Sequence, residues 1–291
     1  MTIQDVAQHL AIGWHTVKEI QKRELQKRFA APSLKTLKTI AIDEISIGRG
    51  HRYLTVVLDL QCGAVVFVGE GKGADALEPF WKRLKFSRAR IEAVAMDMSQ
   101  AYIAAVSNNI PQAAIVFDHF HVIKLMNEKL AELRRDLYRE STDLLQKDIL
   151  KGTRWLIVKN PENLTDDRNE RVRLEEALSL NKPLAAAYYM KEDLRLLWSL
   201  PNKATAEAHL RDWIARAEAS GIKILKDMAK TLRTHKRGIL AYFDYRISTG
   251  PLEVTNNKIK TLQRQAYGFR DQAFFMLRIY ALHTTRYELV G

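Results

Sequence analysis

Thr39-Ile40-Ala41-Ile42-Asp43-Glu44-Ile45 is apolar on both faces until it meets a carboxylate. A short run of this kind is a strand buried inside a sheet, where an uncompensated charge is costly, so Asp43 belongs at the strand end. The design recurs in Val94-Ala95-Met96-Asp97 and in Ile115-Val116-Phe117-Asp118. One such aspartate is equally well explained as a cap for the following helix. Three of them point to adjacent strand ends that converge carboxylates on one spot. Carboxylates held that close repel unless a hard cation neutralises them, which is the geometry of a magnesium site. Glu44 alternates to the other face of its strand and reads as structural.

Outward from this run the pattern is strand over 39–45, the tight turn Ile47-Gly48-Arg49-Gly50, and strand over 53–60. Gln61-Cys62-Gly63 then turns into Ala64-Val65-Val66-Phe67-Val68, so the first three strands form an antiparallel meander. Asp59, at the end of the second strand, reads as a turn residue. A helix over 74–84, a strand over 91–96, a helix over 100–106, a strand over 113–117 and a long helix over 121–140 follow. Three antiparallel strands followed by this alternation describe an α/β mixed sheet. The order matches the ribonuclease-H-like fold, whose carboxylates lie on the first strand, the fourth strand and a late helix.

Between 144 and 235 no strand pattern appears, only helical spacing broken at Gly152, Asn160-Pro161, Asn181-Lys182-Pro183, Leu200-Pro201 and Ser220-Gly221. This is an all-helical insertion, with Trp155, Trp198 and Trp213 expected as core anchors. The late helix opens at Gly250-Pro251, with proline in a first-turn position where its missing N–H costs nothing. Counting from Glu253, Asn256, Asn257, Lys260 and Arg264 share one helix face, a carboxylate followed by amides and then cations. Leu252, Ile259 and Leu262 supply the opposing apolar face, which would bury the helix on the sheet and aim Glu253 at the aspartates.

At the start of the chain, Thr2 caps a first helix with Val6, Ala7 and Leu10 inward, and Ile12-Gly13 turns into a second with Val17 and Ile20 inward. That is helix-turn-helix spacing, with Ala11 where the turn glycine usually falls. Trp14, His15, Thr16 and Lys18 would face outward for groove and phosphate contacts. The connector Ala30-Ala31-Pro32-Ser33 ends this segment. The expected divisions are 1–32 for the helix-turn-helix, 33–143 for the first part of the core, 144–240 for the insertion and 241–291 for the rest of the core.

Composition narrows the partner. Lys plus Arg number 46 against 34 Asp plus Glu, a formal charge of +12 and a pI near 9.7, which favours nucleic acid over a membrane surface. The sequence shows neither a membrane-length apolar stretch nor a secretion signal, so an intracellular, cytoplasmic protein is expected. Cys62 is the single cysteine, which excludes a disulfide framework or a cysteine-rich zinc site within this chain.

Ile42-Asp43-Glu44, Ala95-Met96-Asp97-Met98-Ser99, Asp118-His119-Phe120-His121-Val122 and the Glu253-Val254-Thr255-Asn256-Asn257 helix ending in Gly268-Phe269-Arg270 together resemble bacterial insertion-sequence transposases of the DDE superfamily, ISL3 family. The resemblance covers 38–287. It implies that Asp43, Asp97 and Glu253 are the metal-binding catalytic triad, with Asp43 the bridging ligand for two Mg²⁺ (or Mn²⁺) ions. It implies cleavage at transposon ends and strand transfer, double-stranded DNA as partner, a homodimer on that DNA and a nucleoid-associated location. Lys260, Arg264 and Arg270 would hold phosphates, a surface continued by Arg278 and Arg286. Asn256 or Asn257 would orient Glu253 or a metal-bound water, and Asp118, His119 and His121 would take supporting or DNA-contact roles. Members usually begin with a cysteine-containing zinc domain that this sequence lacks, so it reads as a shortened member, a fragment or one part of a split frame. Two rivals share these features: a structure-selective nuclease of the same fold that cuts without joining, and a DNA-binding regulator with a relic core.

Overall fold

The computed structural model describes residues 2–48 and 50–283; Arg286 lies outside them. The chain divides into two units, Met1–Val116 with Ile247–Gly291, and Phe117–Arg246. In the first unit, helix α1 (Ile3–His9) starts in a capping box: the Thr2 N–H donates to Asp5 at 2.7 Å and the Asp5 N–H to the Thr2 hydroxyl at 3.1 Å. A turn leads to α2 (Trp14–Phe29), with Ala11 in the left-handed region at φ 53°, the position where the sequence pattern lacks its glycine.

Strands β1 (Thr39–Gly48), β2 (Arg52–Asp59) and β3 (Val65–Glu70) form the expected antiparallel meander. β1 continues through Gly48, because Gly48 still pairs with Arg52 after a register shift, so Ile47 and Gly48 are strand rather than turn. Helix α3 (Glu78–Ser87), strand β4 (Ala93–Met96), helix α4 (Gln100–Asn109) and strand β5 (Ala114–Phe117) follow. The sheet order is β3-β2-β1-β4-β5, with β4 parallel to β1. This is the mixed ribonuclease-H-like sheet.

The second unit consists of α5 (His119–Glu140), α6 (Leu144–Gly152), α7 (Glu170–Leu180), α8 (Lys182–Leu196), α9 (Lys203–Ala219), α10 (Lys223–Leu240) and the short α11 (Tyr242–Tyr245), with no strand among the described residues. It is all-helical as expected but begins earlier than 144, because α5 buries Val122, Met126 and Leu130 along one stripe and packs on α8 and α10. Trp213 is a true core anchor, fully buried with its Nε1 donating to the Met190 carbonyl at 2.8 Å. Trp155 is not: it is 65% exposed beneath the Arg154 guanidinium, because Leu156 and Ile157 take the core positions beside it. Trp198 is half-buried, and its Nε1 finds no acceptor among the described residues.

Helices α12 (Gly250–Gln265) and α13 (Gln272–Tyr280) return to the first unit. α12 lays Leu252, Ile259 and Leu262 on the sheet face that presents Ala41 and Ile45 of β1 and Ala95 of β4. α13 adds Phe275, Ile279 and Tyr280 to that cluster, and the Tyr280 hydroxyl accepts the Val68 N–H at 2.9 Å. Asp271 caps α13 by accepting the Phe274 N–H at 3.0 Å and also takes the ammonium groups of Lys18 and Lys22 at 2.6 and 2.8 Å. This corrects two expectations. Lys18 is turned onto α13, its side chain only 14% exposed, rather than outward. Leu10 and Ile20 are 56% and 49% exposed rather than inward, because α2 gives α13 its Lys18, Gln21 and Lys22 side instead.

The two lysines, Lys18 first, and then the Phe274 N–H hold the Asp271 carboxyl well below the usual carboxylate range. A depressed carboxyl stabilises the fold above its unfolded value near pH 4 and loses that contribution as pH falls below it. Asp271→Asn keeps a competent helix cap and removes only the charge, so it should cost about 1–2 kcal/mol at pH 7 in urea unfolding. Asp271→Ala should cost about 1 kcal/mol more through the lost cap. An Asn variant as stable as wild type at pH 7 would show that the pair anchors nothing.

Candidate active site

Side chains alternate along β1, so Ala41, Asp43 and Ile45 share a face. Ala41 and Ile45 lie in the apolar cluster beneath α12, and Asp43 therefore faces α12 as well. The contact is direct: Asn256 Nδ2 donates to Asp43 Oδ2 at 2.9 Å. Parallel pairing of β1 with β4 runs Thr39 with Ala93, Ile40 with Val94 and Ala41 with Ala95. The pairing ends at Ala41 and Ala95, and Asp97 follows directly on the last residue of β4. Ala95 of β4 lies in the same apolar cluster as Ala41 and Ile45. One Asp97 oxygen accepts the Ser99 N–H at 2.9 Å, in the turn that opens α4.

Glu253 precedes Asn256 by three residues on α12, hence lies on the same helix face and one turn nearer the helix start. It is half-buried, as are Asp43 and Asp97, whereas Asn256 is only 7% exposed. Asp43 thus lies on β1, Asp97 just past the end of β4, and Glu253 on α12, which packs on β1. Three carboxylates offer hard oxygen donors only, the donor set that a magnesium-like cation takes and a soft metal does not. No helix among the described residues is long and apolar enough to cross a membrane.

The profile of the ISL3 family of DDE transposases, described as "Transposase", matches residues 40–279. The chain belongs to the ISL3 transposase family. It is 38% identical, over 96% of its own length and 69% of the relative's, to the transposase of insertion sequence element IS1001 from Bordetella parapertussis. It is 31% identical to the transposase of IS1557 from Mycobacterium tuberculosis, over 98% of this chain and 69% of that one. Among solved structures, a Drosophila P element transposase strand transfer complex is similar at a TM-score of 0.44 and 11% identity, covering 88% of this chain and 78% of that one. The protein is therefore a transposase, an enzyme of DNA transposition.

In this transposase Glu44 points away from the site, as expected from alternation. Burial, with the nearby Glu44 carboxylate adding to it, pushes the Tyr102 phenol well above its ordinary value, while Tyr102 shares a 3.1 Å hydrogen bond with Thr55. Asp59 is a turn residue: it pairs in register with Ile40 and accepts the Gln61 N–H at 2.9 Å, with the Cys62 thiol at 3.1 Å. Asp118 caps α5 by accepting the Phe120 N–H at 3.3 Å and lies 3.0 Å from His119 Nδ1. His119 is itself half-exposed against Trp198, the ring centroids 5.8 Å apart. His121 has a buried Nε2 with no partner among the described residues.

Of the expected DNA contacts, Trp14, His15 and Thr16 are exposed at the start of α2, and Asn257, Lys260, Arg264 and Arg270 are exposed on and just beyond α12. Asn256, expected to orient Glu253 or a metal-bound water, donates its amide to Asp43. Sequence reasoning missed Asp271 and the Ser99 N–H. A cap position before a helical run was a legible signal for Asp271; a backbone donor leaves none.

Proposed function

We propose that the chain is the catalytic body of a DDE transposase in which Asp43, Asp97 and Glu253 hold two Mg²⁺ or Mn²⁺ ions, cut DNA at the element's ends and join those ends to a target. The observation that carries this is the hydrogen bond from Asn256 to Asp43, which ties the Glu253 helix to β1, the strand that pairs in parallel with β4, after which Asp97 follows. Bound divalent ions would supply Lewis-acid stabilisation of the attacking and leaving oxygens of a phosphodiester.

The residues' own contribution is orientation. One oxygen of Asp43 is fixed by the Asn256 amide and one oxygen of Asp97 by the Ser99 N–H, so each carboxylate enters the site with a set rotamer. A site that offers carboxylate oxygens alone would favour a hard cation. Lys260, Arg264 and Arg270 line the exposed side of α12 and its exit, where they would take duplex phosphates; Trp14, His15 and Thr16 would meet a second stretch of DNA. Lys18 drops out of that set because Asp271 engages it. Two element ends must be processed together, which calls for a homodimer on DNA, acting at the nucleoid of a bacterial cell.

The test is cleavage and strand transfer on DNA carrying the flanking element ends, with Mg²⁺, with Mn²⁺ and with EDTA. Activity in both metals and none in EDTA is expected. Binding without cutting in any metal would make the chain a regulator, and cutting without joining would make it a nuclease.

A further inference from the structure

Helix α12 ends in a Schellman-type cap: the Tyr267 N–H donates to the Arg264 carbonyl at 3.1 Å and the Gly268 N–H to the Gln263 carbonyl at 2.9 Å. The first residue past such a cap takes a left-handed conformation, and glycine is the usual occupant because any Cβ is strained there. Here it is a tyrosine at φ 50°, with the glycine one place later at φ 95°. The ring rewards the fold with nothing, since Tyr267 is 101% exposed. The tip is nevertheless not a loose one. Phe269, two residues on, stacks on Phe275 with centroids 4.7 Å apart, and Asp271 is clamped by Lys18 and Lys22.

A rigid tip therefore displays a bare aromatic ring between two exposed arginines, Arg264 and Arg270. Glu253 is the one acidic residue of α12, so beyond the site the helix offers a bound polyanion no repulsion. A helix rises about 1.5 Å per residue, so the fourteen residues from Glu253 to Tyr267 span roughly 20 Å, or about six base pairs of duplex. That is too far to act on the reacting phosphate and well placed to grip the same DNA.

We infer that Tyr267 is a DNA-contact residue: its ring wedges against a base step of the bound DNA, roughly 20 Å along α12 from Glu253, while Arg264 and Arg270 pin the phosphates on either side. The inference rests on the reading of Asp43, Asp97 and Glu253 as the centre that works on DNA. Aromatic rings contribute through stacking, which tolerates any base, and the arginines through charge, which salt screens.

Opposite signs in two measurements make the test. Tyr267→Gly relieves the backbone strain, so its melting temperature should equal or exceed that of wild type, while its affinity for element-end DNA falls about tenfold. Tyr267→Phe should bind as wild type. Arg264→Ala and Arg270→Ala should each lower the slope of log affinity against log salt by about one, a slope that Tyr267→Gly leaves unchanged. A Tyr267→Gly protein that binds as tightly as wild type overturns the inference while leaving the active-site reading intact. A wild-type chain that binds no DNA overturns both.

Discussion

Asp43→Asn should abolish strand cleavage and joining, a fall on the order of 10³-fold or more, with binding to element-end DNA retained. The substitution is isosteric and leaves Asn256 an oxygen to donate to, so the strand, the helix and their packing survive. What disappears is the charge that a divalent ion would need in the proposed site. The side chain keeps its size and its hydrogen bond, so the variant should unfold close to wild type in the absence of metal. Asn256→Ala probes the same carboxylate from the other side. It keeps the charge and loses only the rotamer lock, and partners of metal ligands typically account for 10–100-fold in metal affinity or activity. Asn256→Ala should therefore fall between wild type and Asp43→Asn in single-turnover cleavage, with Mn²⁺ affinity falling in parallel. An Asp43→Asn protein within tenfold of wild type would remove Asp43 from the chemistry.

How far the sequence foretold this site depends on which physical signal each residue left. Strand-end aspartates stand out because a buried run cannot carry a charge, and the order of strands and helices around them led to the correct mixed sheet. Glu253 was legible from its helix, where apolar residues on one side and polar ones on the other fix which way the face turns. Asn256 was legible as a member of that face but not as a partner of Asp43, since strand-to-helix pairing is set by packing depth rather than by spacing. The inward turn of Lys18 left no local signal at all: its partner Asp271 is 253 residues away. Trp155 shows the opposite failure, because tryptophan's bulk argues for the core even where Leu156 and Ile157 have already filled it.

Gly69→Ala is expected to be the most damaging single-methyl change in the first unit. A Cβ on Gly69 would lie 2.2 Å from the Ala76 carbonyl oxygen and 2.9 Å from a Phe67 ring carbon. The obstacle is backbone, the short helical turn Ala74–Leu77 that crosses β3, so no rotamer change makes room. Displacing the turn drags Leu77 and, through α3, Phe80 and Trp81, all of them buried. Overpacked cores usually lose 1–3 kcal/mol, and a clash with fixed backbone belongs at or above the top of that range, about 3 kcal/mol. Gly63→Ala is the matched control. Its φ is 74° and nothing lies within 4 Å of the added carbon, so only conformational strain remains, about 1 kcal/mol. Urea unfolding should show a much lower midpoint for the first variant than for the second, with similar slopes. Equal midpoints would mean that the turn over β3 yields freely, and that the sheet face opposite Asp43 is far softer than its packing implies.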